Sequence, residues 1–193
     1  MKNQFDKEGF IPKHGGYESL ITFQKADIVF LGTRYFCDKY ISKFDRTHDQ
    51  MVQAARSGKM NILEGSMAAG TSKETEIKLT NVARASLKEL LEDYRDFIRV
   101  KKLVFWDRNH PYYDALTQKH LIPNPTYEHY QKGIESKYPE VAANVLYSLT
   151  NITIFMLTQQ LKRLEQDFLK EGGLRERMTK ARINYRNKNN NLK

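Results

Sequence analysis

Residues 74–102 read ETEIKLTNVARASLKELLEDYRDFIRVKK, and this stretch contains neither glycine nor proline. Its apolar positions recur at alternating spacings of three and four, which aligns side chains on one face of an α-helix. At 1.5 Å per residue the segment predicts a rod of about 45 Å, which needs other long helices to cover it. The aligned face comprises Ile77, Thr80, Arg84, Leu87, Leu91, Tyr94 and Ile98.

Three other segments repeat this periodicity and together predict an all-α fold. A first helix is predicted over residues 18–41, a second from Thr47 to the break at Gly70, and a fourth over 138–171. With mostly short connections, four long helices predict an up-and-down four-helix bundle. The second helix has an unusually small inner face that allows close approach of a neighbour: Met51, Ala55, Gly58, Ile62 and Gly65.

Two helix starts carry the spacing of a capping box. Thr47 with Gln50, and Thr71 with Glu74, could satisfy the free N–H groups of the first turn reciprocally. Pro139 is tolerated in the first turn of the fourth helix because its missing N–H is not needed there.

A long insertion, residues 103–137, separates the third and fourth helices. It is punctuated by prolines and dense in aromatic residues, with a short helix predicted over 114–120. We expect it to pack on the bundle as a lid, because tryptophan and tyrosine usually find apolar neighbours. The fourth helix carries two apolar seams, one more than a four-helix core needs, which predicts a subunit interface.

Charge divides the chain into a near-neutral body and a basic C-terminal suffix. An extended lead-in is predicted over residues 1–16, the bundle over 17–171 and the suffix over 172–193. The suffix holds seven basic residues and one acidic residue, a net +6, whereas the other residues hold 25 basic and 22 acidic groups, a net +3. A basic block at a terminus is typical of nucleic-acid or acidic-surface binding, and also of a solvated tail.

Composition excludes several classes of protein. The single cysteine cannot form an intramolecular disulfide, which excludes a disulfide-stapled secreted scaffold. No segment approaches the roughly 20 consecutive apolar residues of a membrane span, and the polar N-terminus has no apolar signal core. We therefore expect a cytoplasmic protein with no membrane partner.

No residue constellation supports catalysis, a metal or a cofactor. Asp45 with His48, and Asp107 with His110, have di-iron-like spacing but fall at loops or helix edges, and no histidine follows a glutamate at that spacing. Residues 65–73 lack the Gly-Lys-Ser/Thr ending of a phosphate-binding loop. Cys37 lies on an apolar seam and is interpreted as an inert thiol. The sequence predicts no enzyme.

One polar cluster is predicted where the second and third helices meet. Arg84 lies on an apolar seam, where a charge must be paired, and Glu64 or Asn61 of the adjacent helix could pair with it. We expect a structural lock that fixes helix register, with a binding site as the alternative. The cluster comprises Arg56, Asn61, Glu64, Gly65, Arg84, Ser86 and Glu89.

These residues also carry a family resemblance. Residues 56–65, RSGKMNILEG, contain an Asn-Ile-x-Glu-Gly signature, and Lys73, Glu74-x-Glu76 and Ala83-x-x-Ser86-x-x-Glu89-Leu90 follow it. This pattern resembles the four-helix-bundle proteins first noticed as products of intervening sequences in 23S ribosomal RNA genes. Residues 172–178, GGLRERM, are similar to the start of the extra motif in the subgroup with a four helix bundle suffix domain.

The resemblance implies a fold and an oligomeric assembly, but it says less about the biochemical function. It implies an up-and-down bundle that forms a ring-like homo-oligomer, often a pentamer, without established catalytic residues. It also implies kinship with the accessory variability determinant of diversity-generating retroelements, a basic pentamer that binds nucleic acid and a reverse transcriptase.

Two functional hypotheses follow. In the first, a homo-oligomeric bundle binds RNA or DNA non-specifically through phosphate contacts of the suffix, by Arg175, Arg177, Lys180, Arg182, Arg186 and Lys188. In the second, the suffix helix docks on a neighbouring subunit or partner protein, and its arginines pair with acidic residues such as Glu89, Glu92 and Asp93. An enzyme with an aromatic pocket in residues 103–130 ranks last.

Overall fold

The computed structural model describes residues 15–190 of the chain. The all-α prediction is confirmed: the described residues form helices and connecting turns, and none of them forms a strand. A short 3-10 turn, Tyr17–Ser19, leads into the first long helix. The α-helices are α1 (Ile21–Tyr40), α2 (Arg46–Ala68), α3 (Lys73–Val100), α4 (Tyr113–Lys119), α5 (Tyr127–Ile134), α6 (Pro139–Glu171) and α7 (Leu174–Asn190).

The caps of α2 and α3 differ from the predicted capping boxes. The carboxylate of Asp45 accepts a hydrogen bond from the Thr47 N–H, so the cap of α2 lies two residues before the predicted Thr47. In α3 the Ser72 hydroxyl accepts from the Thr75 N–H, one residue along from the predicted Thr71 cap. In both cases the residue with extended backbone just before the helix presents its side-chain oxygen to a free N–H.

Helices α1, α2 and α3 follow one another in alternating directions. In the first half of α1, Asp27 Oδ1 lies 2.6 Å from Nζ of Lys59, which is in the second half of α2. Near the end of α1, Cys37 Sγ lies 4.0 Å from the sulfur of Met51. The α2–α3 pair shares the largest helix–helix contact of the described fold, and Gly58 of α2 lies against α3 there.

Helix α6 packs on both α1 and α3. The Thr22 hydroxyl at the start of α1 donates to Gln160 Oε1 in the C-terminal half of α6, over 2.9 Å. Towards the end of α3, Arg95 Nη2 donates to the Tyr147 hydroxyl over 2.8 Å. Each long helix of the bundle region therefore has two long neighbours, and a single core runs between them.

The core is largely apolar, with a few hydroxyl groups among the hydrocarbon side chains. Tyr94 is fully buried, and its hydroxyl lies 2.9 Å from the Thr33 hydroxyl, which also donates to the Val29 carbonyl. Because the single Thr33 proton goes to Val29, the Tyr94 hydroxyl donates to Thr33, and neither buried group is left without a partner. Fully buried apolar side chains come from every long helix of the core: Phe36, Met51, Leu87, Leu90, Leu146 and Leu149.

The insertion contains a second short helix, α5, that the sequence analysis did not predict. Its residues include four polar side chains and a glycine, which weaken the helical pattern. Helix α4 lies within one residue of its predicted range. The Asn144 side chain of α6 ties the segment down, accepting from the Trp106 N–H and donating to the Val104 carbonyl, both over 2.9 Å.

Helix α6 begins a stretch that, by length and composition alone, could cross a membrane. Its most apolar window of 18 residues has a mean hydropathy of 1.4. However, 56% of that window is buried inside the fold. This burial is the behaviour of a core helix and is consistent with a soluble protein.

The close approach of α2 and α3 gives a matched test. A Cβ at Gly58 would lie 2.6 Å from Leu87 Cδ2 and 2.7 Å from its Cγ, whereas at Gly65 the nearest atoms are at 3.4 Å. Overpacking costs about 1–3 kcal/mol, and replacing a helical glycine by alanine contributes about 1 kcal/mol of stability. Because the second effect offsets part of the first, we expect Gly58→Ala to lose up to about 2 kcal/mol of unfolding free energy in urea and Gly65→Ala to gain up to about 1 kcal/mol. Equal stability of the two variants would contradict this packing.

Candidate functional site

The suffix helix α7 stands apart from the other helices along most of its length. Gly172, with φ of 70°, ends α6, and the Gly173 N–H donates to the Glu176 carboxylate over 2.9 Å at the start of α7. Its first residues come near the N-terminus of α3, where they share a cavity wall with Ser72 and Lys73. Helix α7 forms no extensive contact with any other described helix.

One side of α7 is apolar and uncovered. At 100° per residue, Leu174, Met178, Ala181 and Tyr185 fall on one face. Met178 is 46% exposed and Tyr185 is 68% exposed. We name these four residues the suffix seam. An exposed amphipathic helix of this kind is suited to docking on another surface.

The predicted phosphate-binding residues flank the suffix seam in two rows. By helical spacing, Arg175, Arg182 and Arg186 form one row, and the other three occupy positions on the opposite flank: Arg177, Lys180 and Lys188. The whole first row is exposed, and so is Lys180. From Arg175 to Arg186, no basic side chain of α7 forms an ion pair with a described residue, and the side chain of Lys188 lies outside the part that the structure describes.

Arg177 differs from the exposed arginines. It is half-buried, and its Nε and Nη2 atoms are shielded from solvent without a hydrogen-bond partner in the described part of the chain. Because unmet buried donors are costly, a guanidinium in this state favours an anionic acceptor, which reaches Nε and Nη2 when the side chain turns outward. Both phosphate and carboxylate oxygens could meet it.

The predicted polar cluster between α2 and α3 is only partly assembled. The Ser57 and Ser86 hydroxyls lie 2.9 Å apart, and the Asn61 amide donates to the Ser57 carbonyl and hydroxyl. These three side chains form a small network across the helix pair. Gly65 is buried against Leu79 and Thr80.

The charged members of the cluster do not form the expected lock. Arg84 is half-buried and donates to Asn81 Oδ1 over 2.7 Å, so it pairs with neither Glu64 nor Asn61. Because Asn81 lies one turn earlier on the same helix, the guanidinium has a partner without reaching α2. The other charged members, Arg56, Glu64 and Glu89, are exposed, and within the described residues they form no ion pair.

Three carboxylates line a groove between α2 and α3. Asp49, Glu89 and Asp93 border a cavity of about 590 Å³, with Ser57 and Ser86 in its wall. We call it the acidic groove. Its lining, as far as the structure describes the chain, contains no lysine or arginine, so the groove favours a cation from elsewhere.

The pKa of Asp93 reflects both its burial and the negative charge that collects in the acidic groove. Burial raises the pKa of this carboxyl, and the neighbouring Asp96 and Glu89 carboxylates raise it further. A basic side chain entering the groove would relieve this repulsion and lower the pKa again.

A buried polar group lies elsewhere in the fold and was missed from the sequence. Lys25 of α1 is fully buried, and its ammonium donates to the His120 carbonyl over 3.2 Å. The His120 ring lies 3.2 Å from the Tyr130 hydroxyl and 2.8 Å from the Ser148 hydroxyl. The signal that could have revealed it was a lysine placed on the buried stripe of α1.

Burial shifts the pKa values of both His120 and Lys25. Burial, together with the smaller effect of the nearby Lys25 charge, lowers the pKa of His120 to about 4. Burial also lowers the pKa of Lys25. Helices α1, α5 and α6 and the end of α4 thus meet around a neutral imidazole and a lysine that has no carboxylate partner among the described residues.

Asp45, His48 and Cys37 are candidates from the sequence for metal ligation or nucleophilic attack. No three histidine, cysteine or acidic side chains among the described residues come together as a metal site. Asp45 caps α2, and His48 contacts Asp38 and Asp49. Burial raises the pKa of the Cys37 thiol to about 12, so this thiol stays protonated near neutral pH.

Comparison of the sequence with family models and curated proteins, and of the fold with solved structures, found no match.

The His120 group predicts acid sensitivity. Its pKa is lower in the folded chain than the ordinary value of 6.5, so its stabilising contribution is present above pH 6.5 and is lost as the pH falls towards 4. We expect His120→Gln, which keeps hydrogen-bonding capacity but cannot take up the proton, to show a smaller loss of unfolding free energy between pH 7 and 4.

An NMR titration gives the independent check. The His120 ring should titrate near pH 4 in the unmodified protein. In Lys25→Met its midpoint should move upward, because the neighbouring positive charge is removed. A His120 midpoint near 6.5 in the unmodified protein would contradict the burial described here.

Proposed function

We propose that this protein is a non-enzymatic, homo-oligomeric four-helix bundle that binds RNA or DNA through phosphate contacts of α7. The observation that carries the proposal is the uncompensated charge of α7: its exposed arginines and Lys180 face solvent without ion-pair partners among the described residues. Cations placed in this way release counterions on binding a phosphate backbone, which gives affinity without sequence preference.

The proposed bundle is the one expected from the sequence. Its support is the alternating course of α1, α2 and α3 and the packing of α6 on α1 and α3. The insertion then lies against one side, held by Asn144. The bundle and suffix are retained as the proposed domains, whereas the predicted lead-in, apart from Gly15 and Gly16, lies outside the described residues.

The proposed homo-oligomer rests on apolar surface that one chain leaves uncovered. Phe155 on the outer side of α6 is 57% exposed, and the half-buried Ile152 lies one turn before it. Exposed apolar seams favour subunit contact. The family resemblance supplies the proposed pentamer and a reverse transcriptase as a candidate partner, and the composition supplies the proposed cytoplasmic location. A ring would multiply the suffix charge and add avidity.

The test compares two sets of charge removals. The first changes Arg175, Arg182 and Arg186 together to Gln and so removes the positive charge of one row of α7. The matched control makes the same change at three exposed lysines of the body, Lys88, Lys162 and Lys170, and loses the same formal charge.

We expect the suffix variant to weaken binding to a single-stranded RNA at low salt by about tenfold or more, because each lost phosphate contact removes a counterion-release term. The control should bind nearly as well as the unmodified chain. An equal loss in the two variants would contradict the proposal.

A second function, a protein-interaction scaffold, is favoured by the suffix seam together with the acidic groove. The suffix seam is apolar and flanked by basic residues, and the wall of the acidic groove contains Ala54 together with carboxylates from both helices. A seam with two basic rows fits a groove with acidic rims. In this arrangement the suffix of one subunit would occupy the α2–α3 groove of its neighbour.

Native mass measurement separates the two functions. If α7 docks, deletion of residues 174–193 and the charge reversal Glu89→Lys with Asp93→Lys should each reduce the oligomer. The matched control reverses Glu64 and Glu165 to Lys, because both are exposed and neither lines the acidic groove. An intact oligomer after the deletion, with nucleic-acid binding lost, would favour the first function and contradict docking.

A further inference from the structure

A cavity of about 420 Å³ lies between the insertion and α6, away from the suffix and the acidic groove. Trp106, Leu116, Tyr130 and Val145 form its buried walls, and Tyr112 stands exposed at its edge. Its size falls within the roughly 300–1,000 Å³ of small-molecule sites, and its lining combines apolar walls with a few polar groups.

Hydrogen bonds within the chain fix the walls of the cavity without a ligand. The Trp106 N–H donates to Asn144, and its indole N–H lies 3.5 Å from a Glu140 oxygen. The Tyr130 hydroxyl donates to the Lys119 carbonyl over 3.0 Å. A preformed site spends little free energy on ordering when it binds.

Two close contacts fix the floor and the edge of the cavity. At Gly133 a Cβ would lie 2.9 Å from Val145, so α5 approaches α6 closely there. At the edge, the His110 ring stacks on Trp106 with centroids 4.7 Å apart and planes 10° from parallel. The indole is therefore fixed in orientation by a neighbour on one of its faces.

The rim is positively charged. Lys119 and Lys132 both line the cavity, and no carboxylate among the described residues lines it. Neither lysine forms an ion pair within the described part of the chain. The Lys119 ammonium donates to the His129 carbonyl over 2.9 Å and keeps two further N–H groups. Aromatic walls beside two ammonium groups complement a flat ring that carries an anion.

We infer that this cavity binds a nucleotide, with the base against Tyr112 and the edge of Trp106 and the phosphate at Lys119 and Lys132. The ring centroids of Trp106 and Tyr112 are 5.2 Å apart and tilted by 51°, and Tyr112 is 58% exposed, which leaves aromatic surface for a base. Base–aromatic stacking tolerates any base because each has a π-face. The choice of a nucleotide among aromatic anions rests on the proposed nucleic-acid function.

The single tryptophan makes the site directly observable. Trp106 is the only tryptophan of the chain, so its fluorescence reports on this cavity alone. The full chain is titrated at low salt with AMP, with UMP and with a five-nucleotide single-stranded RNA. Saturable quenching by the mononucleotides indicates a free nucleotide as the ligand, and quenching by the RNA alone indicates an unpaired base in a strand. Either result supports the proposal.

Two variants test the assignment of the phosphate. Lys119→Ala with Lys132→Ala should weaken binding of the quenching ligand by about tenfold or more, since both charge-assisted hydrogen bonds to the phosphate are lost. Lys88→Ala with Lys162→Ala, exposed positions away from the cavity, is the matched control. Absence of quenching, equal weakening in the control, or ribose 5-phosphate competing as well as AMP would each overturn the proposal.

The test of the cavity can be distinguished from the test of phosphate binding by α7. A chain lacking residues 174–193 that still shows AMP quenching supports the cavity even if all strand binding is lost. A chain that binds RNA through α7 without any change at Trp106 overturns the cavity and leaves the proposed function standing.

Discussion

The close contact between α2 and α3 is the constraint on which the rest of the structure depends. Gly58 leaves room for Leu87, and Gly65 lies against Thr80, so the two helices meet without intervening bulk. That approach brings the Ser57 hydroxyl within hydrogen-bonding distance of α3. Small residues at a helix crossing thus fix both the separation and the register of the pair.

The same contact determines where charge accumulates. With α2 and α3 close, Asp49 shares the acidic groove with Glu89 and Asp93. Burial and the repulsion of its neighbours on α3 together raise the pKa of Asp93. The basic residues of α7 lie beyond Gly172, separate from these carboxylates. One chain therefore presents a basic helix and an acidic groove that do not neutralise each other within the described residues.

Much of the fold could be predicted from the sequence because long periodic segments leave little choice. The ends of α6 and the range of α4 agree with the prediction within one residue, and the helical spacing after Gly172 does form a helix. The caps were harder to predict, because Asp45 and Ser72 compete with nearby threonines for the same role. Helix α5 was missed because its stability comes from packing on α6 and α1.

The candidate sites were less predictable than the fold. Arg84 was expected to need a buried partner on α2, but its half-buried side chain donates to Asn81 of its own helix. The buried Lys25 and the Trp106 cavity both depend on how the insertion folds back, which periodicity does not describe. The two rows of basic residues on α7 could be predicted from helical spacing alone. The structure adds only that this helix is exposed.

The most direct test of the central claim is the salt dependence of binding between the full chain and a single-stranded RNA. If the six basic residues of α7 from Arg175 to Lys188 contact phosphates, the logarithm of affinity should fall with the logarithm of salt with a slope of about −4 per chain. A slope near zero, with affinity unchanged from low to high salt, would contradict phosphate binding by the suffix.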